Sequence, residues 1–197
     1  MIRRKTIKLL ITGVIIMLIG SGCFSQFKYE KYSSKDPSLG INIKYIAGWK
    51  FHEQKGAYGS FAQVVFHEPD RKDKTIKASM SVTVEDSSKV KFSPTDLKGM
   101  EEDLLGKRMK LPEARVVSSA RKNFLGVAAK DIGLTYRAPD KVYSLDAKLV
   151  PLQERIIIFK KDDKFYTVKY QNTPEDFAKF NQAFNHITKT LKIKDKK

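Results

Sequence analysis

The chain has 197 residues, 41% of them hydrophobic and 30% charged, with a formal net charge of +16 and one cysteine. A single cysteine excludes an intramolecular disulfide and any metal centre built on several thiolates. The length allows one domain with a real core, and the positive excess favours anionic partners: lipid headgroups, wall polymers, acidic proteins or nucleic acid.

Residues 1–8 are basic, 9–20 (LLITGVIIMLIG) are apolar, and Ser21-Gly22-Cys23 follows. A permanent membrane-spanning helix needs roughly twenty apolar residues, so residues 1–22 read as a signal peptide. Small residues before a cysteine resemble a bacterial lipobox, in which Cys23 becomes a lipidated N-terminus. Gly20 departs from the aliphatic residue usual at its position. Gly20 and Gly22 also suit an ordinary signal peptidase, which keeps simple secretion and an uncleaved anchor as alternatives. The place of the only cysteine favours lipidation, and with it an extracytoplasmic protein lipid-anchored to a bacterial membrane. Thiol catalysis by Cys23 is disfavoured, because no base lies near it in sequence. Arg3, Arg4, Lys5 and Lys8 leave with the signal, and the mature part keeps a charge of +12.

Residues 23–38 read as the lipidated N-terminus and a polar tether. Its Phe27, Tyr29 and Tyr32 suit a membrane interface, and Lys28, Lys31 and Lys35 suit anionic headgroups; an ordinary linker has the same composition. A folded domain is expected over 39–193, with a short basic tail at 194–197. Residues 41–46 predict a strand, Ala47-Gly48 a bend, 49–53 a second strand, 55–60 a turn with Gly56 and Gly59, and 61–66 the returning strand. Strict alternation of Ala78, Met80, Val82 and Val84 with Ser79, Ser81 and Thr83 predicts a strand with one buried face.

Ser93-Pro94-Thr95-Asp96 carries a helix-start signal, with Ser93 as N-cap, before the stripe Leu97, Met100, Leu104, Leu105 and Met109. Residues 115–123 and 127–137 predict strands around a turn at Leu125-Gly126. Residues 138–151, bounded by Pro139 and Pro151, read as one long irregular loop. The last forty residues are the most legible: an apolar strand over 154–160, a turn at 161–164, and a strand over 165–170. A helix follows, capped at Thr173, with Pro174 in its first turn and Phe177, Phe180, Phe184, Ile187 and Leu191 on one face.

No catalytic constellation, phosphate-binding glycine loop or calcium loop is present in the sequence, and no catalytic residue, cofactor or metal ligand is assigned. His52 and His67 lie in similar Phe-His-Glu triplets. A turn centred on Ala57-Tyr58 sets His52 opposite Gln63 and His67 opposite Gly48, roughly 13 Å apart and too far to share an ion, whereas a shift of the turn by two residues would bring them together. They are read as surface histidines, and His186 as a residue at the edge of the helix's apolar stripe. Trp49 is read as structural, packing under the sheet after Gly48. Tyr58, Phe61 and Tyr143 beside lysines suggest base stacking, but no nucleic-acid-binding motif accompanies them, and nucleic acid is not an expected partner.

Strands followed by strands with helices inserted late predict an α+β domain on a mainly antiparallel sheet. Gly40-Ile41, Tyr45, Gly48-Trp49, the 56–61 turn, the 78–84 strand, Gly126 with Ala128, the 165–170 strand and the closing 177–191 helix together resemble the PsbP-like superfamily. That family includes the extrinsic photosystem II protein PsbP and bacterial lipoproteins such as DcrB. The resemblance implies an α/β/α sandwich around a central antiparallel sheet, and a non-enzymatic accessory or docking role. The expected function is a membrane-anchored envelope lipoprotein that docks an acidic protein or an anionic envelope surface. The alternative is a small-ligand- or metal-binding lipoprotein with a pocket between the sheet and the 138–151 loop.

Overall fold

Ile156, Ile157, Ile158 and Phe159 are each almost wholly buried, because their strand is covered on both faces. The computed structural model describes residues 27–70, 76–86, 88, 94–141 and 144–194. Its strands are β1 (Tyr29–Ser33), β2 (Ile41–Ile46), β3 (Lys50–Lys55), β4 (Phe61–His67), β5 (Ser79–Asp86), β6 (Arg115–Phe124), β7 (Val127–Pro139), β8 (Leu149–Lys161), β9 (Lys164–Asn172) and β10 (Lys192–Ile193). Two helices join them, α1 (Leu97–Arg108) and α2 (Pro174–Thr190). Seven strands form one sheet in the order β3-β4-β5-β9-β8-β7-β6, and a second sheet has the order β1-β2-β10. Every pairing is antiparallel. The fold is the expected α+β arrangement.

The period of two in β9 divides the core. Tyr166, Val168 and Tyr170 join a cluster with α2 and the three-stranded sheet, while Phe165 faces the opposite way into a cluster with Met100 of α1. The stripe predicted for α2 is buried at Phe177, Phe180, Phe184 and Ile187. Tyr170 Oη donates to the Phe177 carbonyl at 3.0 Å and pins the first turn of this helix to β9. Thr173 does occupy the N-cap position, but its side chain makes no capping bond. For α1 the cap is Asp96, whose side chain accepts from Gly99 N, and the helix starts at Leu97. Ser93, the expected cap, lies outside the described residues.

Three expectations are corrected. Residues 29–33 are not tether: β1 pairs with β2 along its whole length, Tyr32 is buried, and Phe27 and Tyr29 pack against the main core. Phe27 lies 5.3 Å from the Phe180 ring, and Tyr29 stacks on His186 at 4.3 Å. These aromatics are therefore used by the domain rather than held at an interface, and the fold extends past residue 38 toward the N-terminus. At the other end, Lys194 donates from its backbone N to the Gly40 carbonyl, so the domain runs one residue beyond 193.

The segment 138–151 is not one irregular loop either. Strands β7 and β8 run on as a hairpin arm in which Arg137 pairs with Pro151 and Pro139 with Leu149, leaving only 140–148 as its tip. Beyond Thr135 and Gln153 neither strand pairs with a second strand among the described residues, so a proline there can face an edge and cost no ladder bond.

The α2 face also holds a partly buried ionic knot. Asp131 accepts from Arg155 Nε and Nη2 at 2.9 and 2.7 Å and from Lys122 Nζ at 2.7 Å. Arg155 Nη1 reaches Asn181 and Asn185 of α2. Burial raises the Asp131 pKa, but hydrogen bonds from Arg155 and Lys122 outweigh it and leave the pKa below the ordinary value. A depressed carboxylate stabilises the fold above its unfolded pKa, and that contribution is lost as pH falls through the folded pKa. Asp131→Asn is expected to cost about 2 kcal/mol at pH 7, with the gap to the parent narrowing below about pH 4. Urea unfolding at a series of pH values checks this.

Candidate functional site

Strand β2 buries Ile41, Ile43 and Tyr45 and turns Asn42 and Lys44 outward. Its partners share the alternation: Lys31 stands directly across from Lys44 in β1, and Lys192 of β10 pairs with Asn42. The C-terminal turn of α2 adds Lys189 and Thr190, whose Oγ1 accepts from Lys44 N at 2.9 Å. A shallow groove of about 530 Å³ runs across this face, lined by Lys31, Lys44, Lys189 and Lys192 together with Tyr32 and Ile43. None of the four lysines lies within ion-pair distance of a carboxylate among the described residues. Directly opposed like charges destabilise a sheet. An anion laid across the face would remove that cost.

Of the lysines predicted to meet an anionic surface, only Lys31 lines this groove; Lys28 and Lys35 are exposed to either side of β1. Lys44, Lys189 and Lys192 escape a reading of the chain because they are remote in sequence. The outward alternation of Asn42 and Lys44 was the only local signal. Cys23 lies outside the described residues, as does the expected signal segment 1–22.

The histidines sit closer together than expected. A single 3-10 turn over Ala57–Gly59 moves the centre of the β3–β4 hairpin by one residue, pairing His52 with Val65 and Lys50 with His67. The two imidazoles then lie diagonally on one face, 6.0 Å between centroids, rather than about 13 Å apart. His67 Nδ1 is 3.1 Å from the Glu68 carbonyl. Among the described residues no group of three or more His, Cys, Asp or Glu could hold a metal ion. His186 lies at the edge of the α2 stripe, stacked on Tyr29.

Trp49 is 7% exposed and packs against the Phe180 ring at 5.6 Å, beneath the sheet as expected. Gly48 before it has φ +81°, a left-handed turn that suits glycine.

A second concave surface lies on the other side of the large sheet. Helix α1 packs on β7 and β8, leaving a groove of about 300 Å³ beside it over β4, β5 and β9. At one end Glu154, with no exposed side-chain surface, accepts from Arg108 Nε at 2.9 Å and Nη2 at 3.1 Å, with Lys169 Nζ 3.4 Å away. At the other end, burial raises the Glu85 carboxyl above its ordinary pKa, against a smaller lowering by Lys107.

No protein-family model matches the chain, and no curated protein sequence does. Solved structures do match. The cyanobacterial PsbP, CyanoP, of Synechocystis sp. PCC 6803 aligns with a TM-score of 0.54 at 13% identity, over 84% of this chain and 92% of its own. The fold is PsbP-like. PA94 of Pseudomonas aeruginosa, a protein of unknown function, aligns with a TM-score of 0.55 at 14% identity, over 85% of this chain and 99% of its own. The Ran-binding protein Mog1p of Saccharomyces cerevisiae gives 0.54 at 8% identity, over 86% and 97%. At such identities the PsbP-like architecture is what is shared, and the surfaces are this chain's own. Among the described residues no helix is long and apolar enough to cross a membrane.

Proposed function

We propose that this chain is a lipid-anchored extracytoplasmic protein whose PsbP-like domain acts without catalysis, as an accessory module docked on an anionic envelope surface. The observation that carries the reading is the lysine face: four cations on one side of the small sheet, with no carboxylate paired to them among the described residues. Its position supports the anchor as well. Only a few residues separate Cys23 from β1, a reach of about 20 Å, so a lipid on Cys23 holds Lys31 close to the headgroups. A lysine near an anionic leaflet contributes about 1 kcal/mol, and the attraction falls off within a Debye length.

A chain beginning at Ser25 is expected to bind anionic vesicles at low salt and to release them at 1 M salt. Replacing Lys31, Lys44, Lys189 and Lys192 together by glutamine should weaken that binding by on the order of a hundred- to a thousandfold. The same change at Lys98, Lys107, Lys141 and Lys161 should cost far less. Equal binding to neutral and anionic vesicles, or equal losses from both variants, would reject the docking face. In cells, Cys23→Ser should lose acyl label and leave the membrane fraction. Retention at the precursor mass would instead establish an uncleaved anchor.

A further inference from the structure

The groove beside α1 has an order that its strand register sets. Phe61, Glu85 and Phe165 are paired across β4, β5 and β9; two residues along, Gln63, Thr83 and Thr167 are paired; two further, Ser81 stands opposite Lys169. All eight line the groove. At ~3.4 Å per residue the first row is roughly 13 Å from the last. Met100 and Leu104 of α1 add apolar surface to the groove, and Met100 shares a cluster with Phe165 of the first row. In the middle row Gln63 Nε2 donates to Thr83 Oγ1 at 2.6 Å and its carbonyl accepts from Gln54 Nε2, which leaves the Thr167 hydroxyl as the polar flank.

The last row holds an unexplained polar group. Ser81 is 4% exposed, and its Oγ has no hydrogen-bond partner among the described residues. A buried hydroxyl left unpaired costs about 1–3 kcal/mol, and the fold gains nothing visible from it. Beside it two cations, Arg108 and Lys169, share the single carboxylate of Glu154. This end of the groove carries an excess positive charge. Lys169 makes the longer contact, 3.4 Å against 2.9 and 3.1 Å for Arg108, so it is the cation a ligand can draw away. Directly paired residues have Cβ atoms about 5 Å apart, so an anion held by Lys169 is within reach of the Ser81 hydroxyl as well.

We propose that this groove binds a small N-acylated amino acid or the C-terminal end of an acylated peptide. The free carboxylate lies on Ser81 and Lys169, the amide beside the Thr167 hydroxyl, and the acyl chain along Phe61, Met100 and Leu104. The orientation follows from charge: Arg108 and Lys169 share one carboxylate at the Ser81 end, whereas Glu85 and Asp103 outnumber Lys107 at the first row. The order carboxylate, amide, acyl tail is the order of the cationic, hydroxyl and apolar linings along the groove.

Hexanoylglycine tests this by calorimetric titration of the purified full chain. Hexanoylglycinamide, which lacks the charge, should bind at least tenfold more weakly. Acetylglycine, which lacks the tail, should also lose affinity. Ser81→Ala should weaken hexanoylglycine severalfold while leaving the melting temperature unchanged or higher, since the lost hydroxyl has no partner in the free protein. Leu104→Ala should remove the advantage of the long tail over the short one. A dipeptide acylated with the same hexanoyl group separates the two sources: tighter binding than hexanoylglycine identifies a peptide end, weaker binding a free acylated amino acid. Acid and amide binding equally, no heat from any probe, or Ser81→Ala binding like the parent would each overturn the proposal.

Discussion

Glu154→Gln is expected to destabilise the protein by about 3–5 kcal/mol, read as a shift of the urea midpoint at constant slope. The carboxylate has no exposed surface and is the shared partner of Arg108 and Lys169, so its neutral isostere leaves two cations facing each other in a partly buried site. The loss arises mainly from those stranded charges rather than from the strength of the pair. Buried ion pairs are expensive to desolvate, and replacing all the partners by apolar residues of similar volume is often neutral. A triple variant, Glu154→Leu with Arg108→Met and Lys169→Met, should therefore recover much of the stability. If the single variant unfolds at the parent's midpoint, water reaches the site and the groove is wetter at that end than its geometry implies.

Trp49→Ala should cost a similar amount, about 3–5 kcal/mol, by opening a cavity that the surrounding layer cannot close. The indole is buried between the bend after β2 and the Phe180 ring of α2, where the small sheet meets the helix. Its removal should be felt on both sides, lowering the melting temperature and weakening vesicle binding only in proportion to unfolding. Unchanged melting with lost binding would reassign Trp49 to a contact surface. Trp49→Phe is the milder control, since it keeps an aromatic plate against Phe180.

The parts legible in the sequence were those with a single dominant periodicity. The run β8–turn–β9–α2 follows from an apolar strand, a period-two strand and a stripe spaced by threes and fours, and each matches the burial found. Strand β1 was not legible because only Tyr32 of its five residues is buried, and Lys31 between two tyrosines reads as well for a linker. The hairpin arm of β7 and β8 was hidden by Pro139 and Pro151, residues that normally argue against a strand but are tolerated where an edge is free. The His52–His67 separation was misjudged by the smallest error a hairpin permits, one residue in the centre of its turn. The lysine face was invisible for a different reason. Its four members belong to β1, β2, α2 and β10, and only the pairing of those elements makes them neighbours.

That pairing has a consequence for the order in which the protein matures. Strand β2 is flanked by β1, a few residues upstream, and by β10, whose Lys192 meets Asn42 across some 150 positions of chain. A polypeptide emerging from its N-terminus has its first two strands early, but the third arrives only when almost everything between has been made. Closing so long a loop is entropically costly and slow, and it waits on the large sheet and the last helix to bring the ends together. Lys189 and Lys192 therefore join Lys31 and Lys44 only once the two ends of the chain have met. A chain cut short before the last turn of α2 lacks Lys189 and Lys192, half of the basic face. Completion of synthesis is built into the surface as a condition for its charge density.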